Sequence, residues 1–158
     1  MLDEPVTDCY CWPCERSDGA RGPPVRSTEQ FPVNKAEEEW RRTLTPEQFR
    51  VLRKHGTERS GSSDLNSEHR SGVFVCAGCA QELFSSDAKF ESGTGWPSFF
   101  APLPDALGTR EDRGLLMRRT EVHCARCGGH LGHVFADGPK PTGQRYCING
   151  AALRFQPR

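Results

Sequence analysis

"VFVCAGC", residues 73–79, and "TEVHCARC", residues 120–127, decide the fold. Each is a short strand-like run that ends in Cys-x-x-Cys, with 44 residues between Cys79 and Cys124. A Cys-x-x-Cys turn can aim both sulfurs at one tetrahedral ion, and two such turns complete four thiolate ligands. Glycines at 78, 128 and 129 suit tight turns around Cys76, Cys79, Cys124 and Cys127. Four protein ligands leave no open position, so an ion held there, zinc by ligand type, would fold the domain and do no chemistry. The same residues could instead make two redox pairs, but a β domain with a modest core has more use for a metal staple.

Outward from the knuckles the chain alternates short apolar runs with Gly and Pro: "VFVC", "GLLM", "TEVHC", "HVF", "RYCIN" and "ALRF". That pattern predicts a mainly β fold of short antiparallel strands. Two helices are expected before it. In "KAEEEWRRTL" (35–44), Asn34 is the expected cap, with acidic residues early and arginines late, as the helix dipole favours. In "TPEQFRVLRKHG" (45–56), Thr45 is the N-cap, Pro46 opens the helix, Gln48 completes a capping box and Gly56 stops it. Phe49, Val51 and Leu52 are its inward candidates. Residues 57–72 are polar and rich in Gly and Ser, and predict a loop. Residues 1–30 have six acidic against three basic side chains, several prolines and few aliphatic residues. They predict a flexible arm ahead of a domain spanning 31–158.

Composition narrows the function. The chain has 158 residues, 35% of them hydrophobic, and zero formal net charge. No basic patch gathers at the knuckles, so nucleic acid is not an expected partner. No apolar run approaches the ~20 residues of a membrane helix, and the start lacks the basic-then-apolar layout of a secretory signal. A cytoplasmic protein is expected, in which eight cysteines point to metal binding or catalysis before structural disulfides.

With four cysteines assigned to metal, Cys147 in "GQRYCING" is the remaining one within 31–158. On a strand, Arg145, Cys147 and Asn149 share one face, and a guanidinium beside a thiol favours the nucleophilic thiolate. "HLGHVFADG" supplies His130, His133 and Asp137 as proton donors or orienting groups, provided the fold brings them to Cys147. From spacing alone, Cys147 is equally a small core residue. The chain would then be a zinc-ribbon binding module; a further reading is a redox sensor that uses the arm cysteines and a sulfenic acid as its signal.

Three longer stretches carry a resemblance: "FPVNKAEEEWRRTLTPEQF" (31–49), "CAGCAQELFSSDAKFESGTGWPSFF" (76–100) and "HCARCGGHLGHVFADGPKPTGQRYCINGAALRF" (123–155). Together they resemble the methionine-R-sulfoxide reductases of the B type, over roughly residues 31–156. The resemblance implies a zinc-stapled pair of antiparallel sheets, a β-tent, with helices on the N-terminal side. It implies Cys147 as nucleophile, Trp96 as the apolar wall for the substrate methyl, and Phe135 lining the same pocket. It implies His130 and His133 as active-site histidines supported by Arg145, Asp137 and Asn149. The implied substrates are peptides and proteins carrying methionine-R-sulfoxide. The resemblance further implies that Cys147 becomes a sulfenic acid and that thioredoxin supplies the electrons; nothing in the sequence demands more than a monomer.

The chain departs from the family pattern twice. Many relatives place a resolving cysteine where this chain has Thr94 in "SGTGWPSF". Cys9, Cys11 and Cys14 of "CYCWPC" are then the candidates to resolve the sulfenic acid, beside direct reduction by thioredoxin or an independent role for the cluster. An aromatic-bearing stretch of the family is replaced here by "RSGSSDLNSEH" (59–69), which alters the lip of the substrate pocket.

Overall fold

The computed structural model describes residues 30–114 and 116–158, so the arm and its cysteines Cys9, Cys11 and Cys14 lie outside the described residues. Two helices come first, α1 (Glu37–Thr43) and α2 (Pro46–Lys54). Helix α2 begins as its sequence predicts: the Thr45 side chain accepts from the Gln48 amide and the Gln48 side chain answers the Thr45 amide, closing a capping box. It ends one residue before the expected stop, at His55 in the left-handed region (φ 54). Gly56 matters for proximity instead, because a Cβ there would sit 2.8 Å from the Arg50 carbonyl oxygen. Helix α1 departs further. Ala36, not Asn34, is its N-cap and makes no side-chain cap bond; the glutamates at 37–39 meet the helix dipole in its place.

Among the described residues nine strands follow: β1 (Gly72–Cys76), β2 (Glu82–Ser85), β3 (Lys89–Phe90), β4 (Ser98–Phe99), β5 (Leu107–Arg113), β6 (Arg118–Cys124), β7 (His130–Phe135), β8 (Arg145–Ile148) and β9 (Leu153–Pro157). They form two antiparallel sheets, ordered β2-β1-β9 and β3-β4-β8-β7-β6-β5. The mainly β, two-sheet expectation holds. "GLLM" does not form a strand: Gly114, Leu116 and Met117 lie in the connection between β5 and β6. The sequence pattern misses the short strands β2, β3 and β4 and the longer β5, "LGTREDR", an edge strand whose side chains are mostly charged and partly exposed, so no apolar alternation marks it. The loop expected over 57–72 carries one 3-10 turn, Asp64–Ser67, capped by Ser63.

Phe74 and Phe84 from the small sheet meet Phe99 from the large one, with Phe84 and Phe99 stacked 4.2 Å apart. All three are fully buried, as are Leu83, Val122, Leu131 and Ile148. Each such side chain contributes about 1.5–3 kcal/mol by leaving water. Trp40 and Leu52 close the N-terminal end, and both lie within 4 Å of the place a Gly78 side chain would occupy. The expected Phe49, Val51 and Leu52 are all buried. The helices therefore cover the cysteine knuckles.

Candidate active site

The four knuckle cysteines converge. Cys76 ends β1 and Cys124 ends β6, and all four sulfurs lie within 4.8 Å of one another. Cys76 Sγ is 3.7 Å from Cys127 Sγ, and Cys79 Sγ is 3.5 Å from Cys124 Sγ. A tetrahedral zinc with ~2.3 Å Zn–S bonds sets its sulfurs about 3.8 Å apart, so the donor set and spacing suit zinc. Both knuckles use the same backbone. The amides of Ala80 and Gly128 donate to the carbonyls of Cys76 and Cys124, at 2.9 and 2.8 Å. Arg53 also donates to the Cys127 carbonyl (3.0 Å), tying α2 to the centre.

Cys147 lies well away in the chain, in the middle of the large sheet. Its strand β8 sits between β4 and β7, and its register partners are Ser98 and His133. It opens into a cleft of about 130 Å³ lined by Trp96, Phe135, His133, Asn149, Arg119 and Thr57, among others. Burial pushes the Cys147 thiol up from its ordinary value, while the Thr94 hydroxyl and the Arg145 charge pull the other way without prevailing. Arg145 has another claim on it, since its guanidinium grips Asp137 through two bonds of 2.9 and 3.0 Å and lies 4.5 Å over the Phe135 ring. Asp137 thereby fixes Arg145 and, through it, the aromatic wall.

Each β7 histidine is backed by a carboxylate from the β5–β6 hairpin. His133 Nε2 is 3.0 Å from Asp112, and His130 Nδ1 is 2.8 Å from Glu121. The hydrogen bond from His133 and the Arg119 charge hold Asp112 below its ordinary value, so it is ionised and can only accept. Nε2 of His133 therefore carries the proton and Nδ1 is left as a base. Burial, the largest influence, lowers the His133 pKa and outweighs the upward pull of Asp112. His130 is buried at 3% exposure and does not line the Cys147 cleft. Its partner Glu121 also meets His55 (3.0 Å) and Arg110 (2.9 Å). Burial would raise Glu121, but these partners hold it well below the usual carboxylate range.

The third support leaves no trace in the sequence. Glu58 is buried, and its carboxylate accepts from the amides of Gly150 (2.6 Å) and Ala151 (2.9 Å). Its own amide donates to the Asn149 side chain, and its carbonyl accepts from Trp96 Nε1 at 3.1 Å. The Asn149 side chain in turn donates to the Leu131 carbonyl (2.9 Å), so both of its polar atoms hold backbone around the cleft. The divergent stretch 59–69 also holds backbone here. Ser60, Gly61 and Asn66 bond the carbonyls of Thr94 and Gly95, steadying the turn that presents Trp96. Sequence reasoning misses Glu58, Asp112, Glu121 and Arg119. Only Glu121 leaves a signal, a carboxylate inside an otherwise strand-like run ending at a knuckle cysteine.

Fold and site define a class: a two-sheet antiparallel protein with a four-cysteine centre and a separate, half-buried thiol in an aromatic-walled cleft. The SelR domain matches residues 44–157. A peptide methionine sulfoxide reductase MsrB of Methanosarcina barkeri is 58% identical over 128 residues, covering 80% of this chain and 90% of the relative. One from Leptospira interrogans is 54% identical over 127 residues, covering 80% and 97%. The chain belongs to the MsrB family of oxidoreductases. Among solved structures, the Yippee-like domain of Mis18 aligns with a TM-score of 0.45 at 20% identity, over 55% of this chain and 96% of that one, a likeness too slight to bear on function.

Proposed function

We propose that this protein reduces methionine-R-sulfoxide in peptides and proteins, with residues 31–158 as the catalytic domain and Cys147 as the nucleophile. The observation that carries the reading is the pairing of Cys147 with His133 across β7 and β8, at a cleft walled by Trp96 and Phe135. The resting pair is a thiol and a neutral imidazole. His133 takes the thiol proton, and the resulting imidazolium is stabilised by Asp112. The thiolate attacks the sulfoxide sulfur while the proton passes to the sulfoxide oxygen. The S–S bond so formed then breaks as the hydroxyl passes from the substrate sulfur to the Cys147 sulfur. Cys147 is left as a sulfenic acid and the thioether is released, so the cysteine sulfur loses the two electrons the substrate sulfur gains.

Trp96 and Phe135 take the methyl side of the substrate, and the polar side of the cleft takes the oxygen. A centre with one apolar wall and one polar wall accepts a single epimer, here R. His130, held by Glu121, packs edge-on against His133 with ring centroids 5.5 Å apart and helps to orient it. The sulfenic acid then condenses with a thiol of Cys9, Cys11 or Cys14, forming a disulfide and water, and thioredoxin reduces that disulfide. Zinc fits Cys76, Cys79, Cys124 and Cys127, and there it would supply folding energy and no chemistry. The reading places the enzyme in the cytoplasm as a monomer; among the described residues no helix is long and apolar enough to cross a membrane.

The test is a single turnover with methionine-R-sulfoxide and no reductant, followed by intact mass and peptide mapping. A Cys147 disulfide to Cys9, Cys11 or Cys14 supports the whole cycle. A lone sulfenic acid on Cys147 keeps the reductase and removes the arm from it. Unoxidised Cys147 with no product sinks the reading.

A further inference from the structure

Among the described residues, two large hydrophobic side chains are exposed, Leu116 at 96% and Met117 at 65%. They are neighbours in the connection between β5 and β6, the hairpin that carries Asp112 and Arg119 to the site. Isolated exposed hydrophobics are ordinary, but an adjacent pair in a hairpin connection is not, because polar residues fill such turns at no cost. We propose that Leu116 and Met117 grip an unfolded, apolar stretch of the substrate protein while its oxidised methionine occupies the Cys147 cleft. The inference rests on the reductase reading above and names the substrate surface that this reading leaves open.

Three observations select this occupant. The cleft, at about 130 Å³, takes one side chain, so hold on a protein must come from beside it. Arg119 lines the cleft, and Met117 and Leu116 follow two and three residues along the hairpin. At ~3.4 Å per strand residue that is about 7–10 Å, the span of roughly three extended substrate residues. Finally, the nearby charges are mostly answered, three guanidiniums meeting two carboxylates. Arg113 and Arg118 lie 3.0 and 3.7 Å from Glu111, and Arg119 lies 3.2 Å from Asp112. The connection thus offers an apolar surface flanked by one cationic charge in excess, which suits a hydrophobic segment and tolerates an acidic residue beside it. Such segments are exposed when a protein is unfolded.

The experiment compares the full chain with the double variant Leu116→Ser/Met117→Ser on two substrates, peroxide-oxidised casein and N-acetyl-methionine-R-sulfoxide. The expected result is a KM for casein raised about ten-fold with kcat unchanged, and unaltered kinetics on the small substrate. Leu116→Met/Met117→Leu should restore the casein KM. Unchanged casein kinetics, or an equal loss on both substrates, would overturn the inference. So would a wild-type dimer that the double variant dissociates in analytical ultracentrifugation, since the pair would then be covered by a second copy. If wild type turns over neither substrate, the reductase reading falls, and the inference falls with it.

Discussion

Cys147 on β8 and His133 on β7 are direct register partners in the large sheet, and their proton affinities are shifted in opposite directions. Burial raises the thiol above its ordinary 9.0 and lowers the imidazole below its ordinary 6.5. At neutral pH both groups are uncharged, and in the proposed mechanism the ion pair forms only as a proton moves between them. A buried thiolate standing ready would be exposed to adventitious oxidants; a thiol that ionises beside its own base is less so.

This pairing predicts a pH profile. His133 must be neutral to accept the proton, so kcat/KM should fall as pH drops below 6.5, with an apparent pKa under that ordinary value. Asp112 pulls the His133 pKa upward, so Asp112→Asn should move the acid limb to still lower pH. It should also cut kcat about ten- to a hundred-fold, because the imidazolium loses its partner. Steady-state kinetics from pH 5 to 9 on both proteins checks this. An acid limb that shifts upward in Asp112→Asn would contradict the assignment.

Glu58 is predicted to be as important to the cleft as residues that line it. Glu58→Ala leaves one buried and one part-buried amide without acceptors and vacates the carboxylate between Asn149 and the 150–152 turn. Each charge-assisted bond lost costs about 1.5–3 kcal/mol, so destabilisation of about 3 kcal/mol is expected by urea unfolding. Glu58→Gln keeps one acceptor oxygen and should lose about half as much. The backbone carbonyl that holds Trp96 remains in both, so a tryptophan emission shift in Glu58→Ala would report displacement of the segment itself.

Metal removal gives a sharper stability test. The four sulfurs tie the end of β1 to the end of β6 beneath Trp40 and Leu52, so the chain should bind one zinc and unfold when a strong chelator withdraws it. Cys76→Ser and Cys124→Ser, both at buried positions, should each yield protein without metal and without a cooperative melt. Metal analysis with calorimetry is the measurement; a chelated chain that melts like the untreated one would remove the structural role.

How much of this is legible in the sequence depends on where each residue's constraint lies. The knuckles, the capping box of α2 and the apolar strands show because their cause is local: a spacing, a cap, a period. Glu58 does not show, since it bonds residues more than ninety positions away and sits in a run that reads as loop. Asp112 hides in a charged edge strand, where one functional carboxylate looks like any solvated one. The cap of α1 is misread because Asn34 is a better capping residue than Ala36, yet three glutamates in the first turn make a side-chain cap unnecessary.

The last prediction follows from the likeness of the two knuckles. Ala80 and Gly128 occupy the same place, four residues after the first cysteine of each pair, with φ of 61 and 68 and the same amide-to-carbonyl bond. Only one is glycine. A residue with a Cβ is disfavoured in the left-handed region by roughly 1 kcal/mol, and Ala80 is exposed, so its methyl gains little from packing. Ala80→Gly should therefore stabilise the protein by about 0.5–1 kcal/mol even though glycine gives the unfolded chain more freedom. Gly128→Ala should do the reverse and cost more, because its Cβ would fall 2.3 Å from the Phe31 ring as well as carrying the strain. Paired thermal melts of the zinc-loaded proteins measure both. Destabilisation by Ala80→Gly would mean that the two turns, alike in backbone, differ in what holds them.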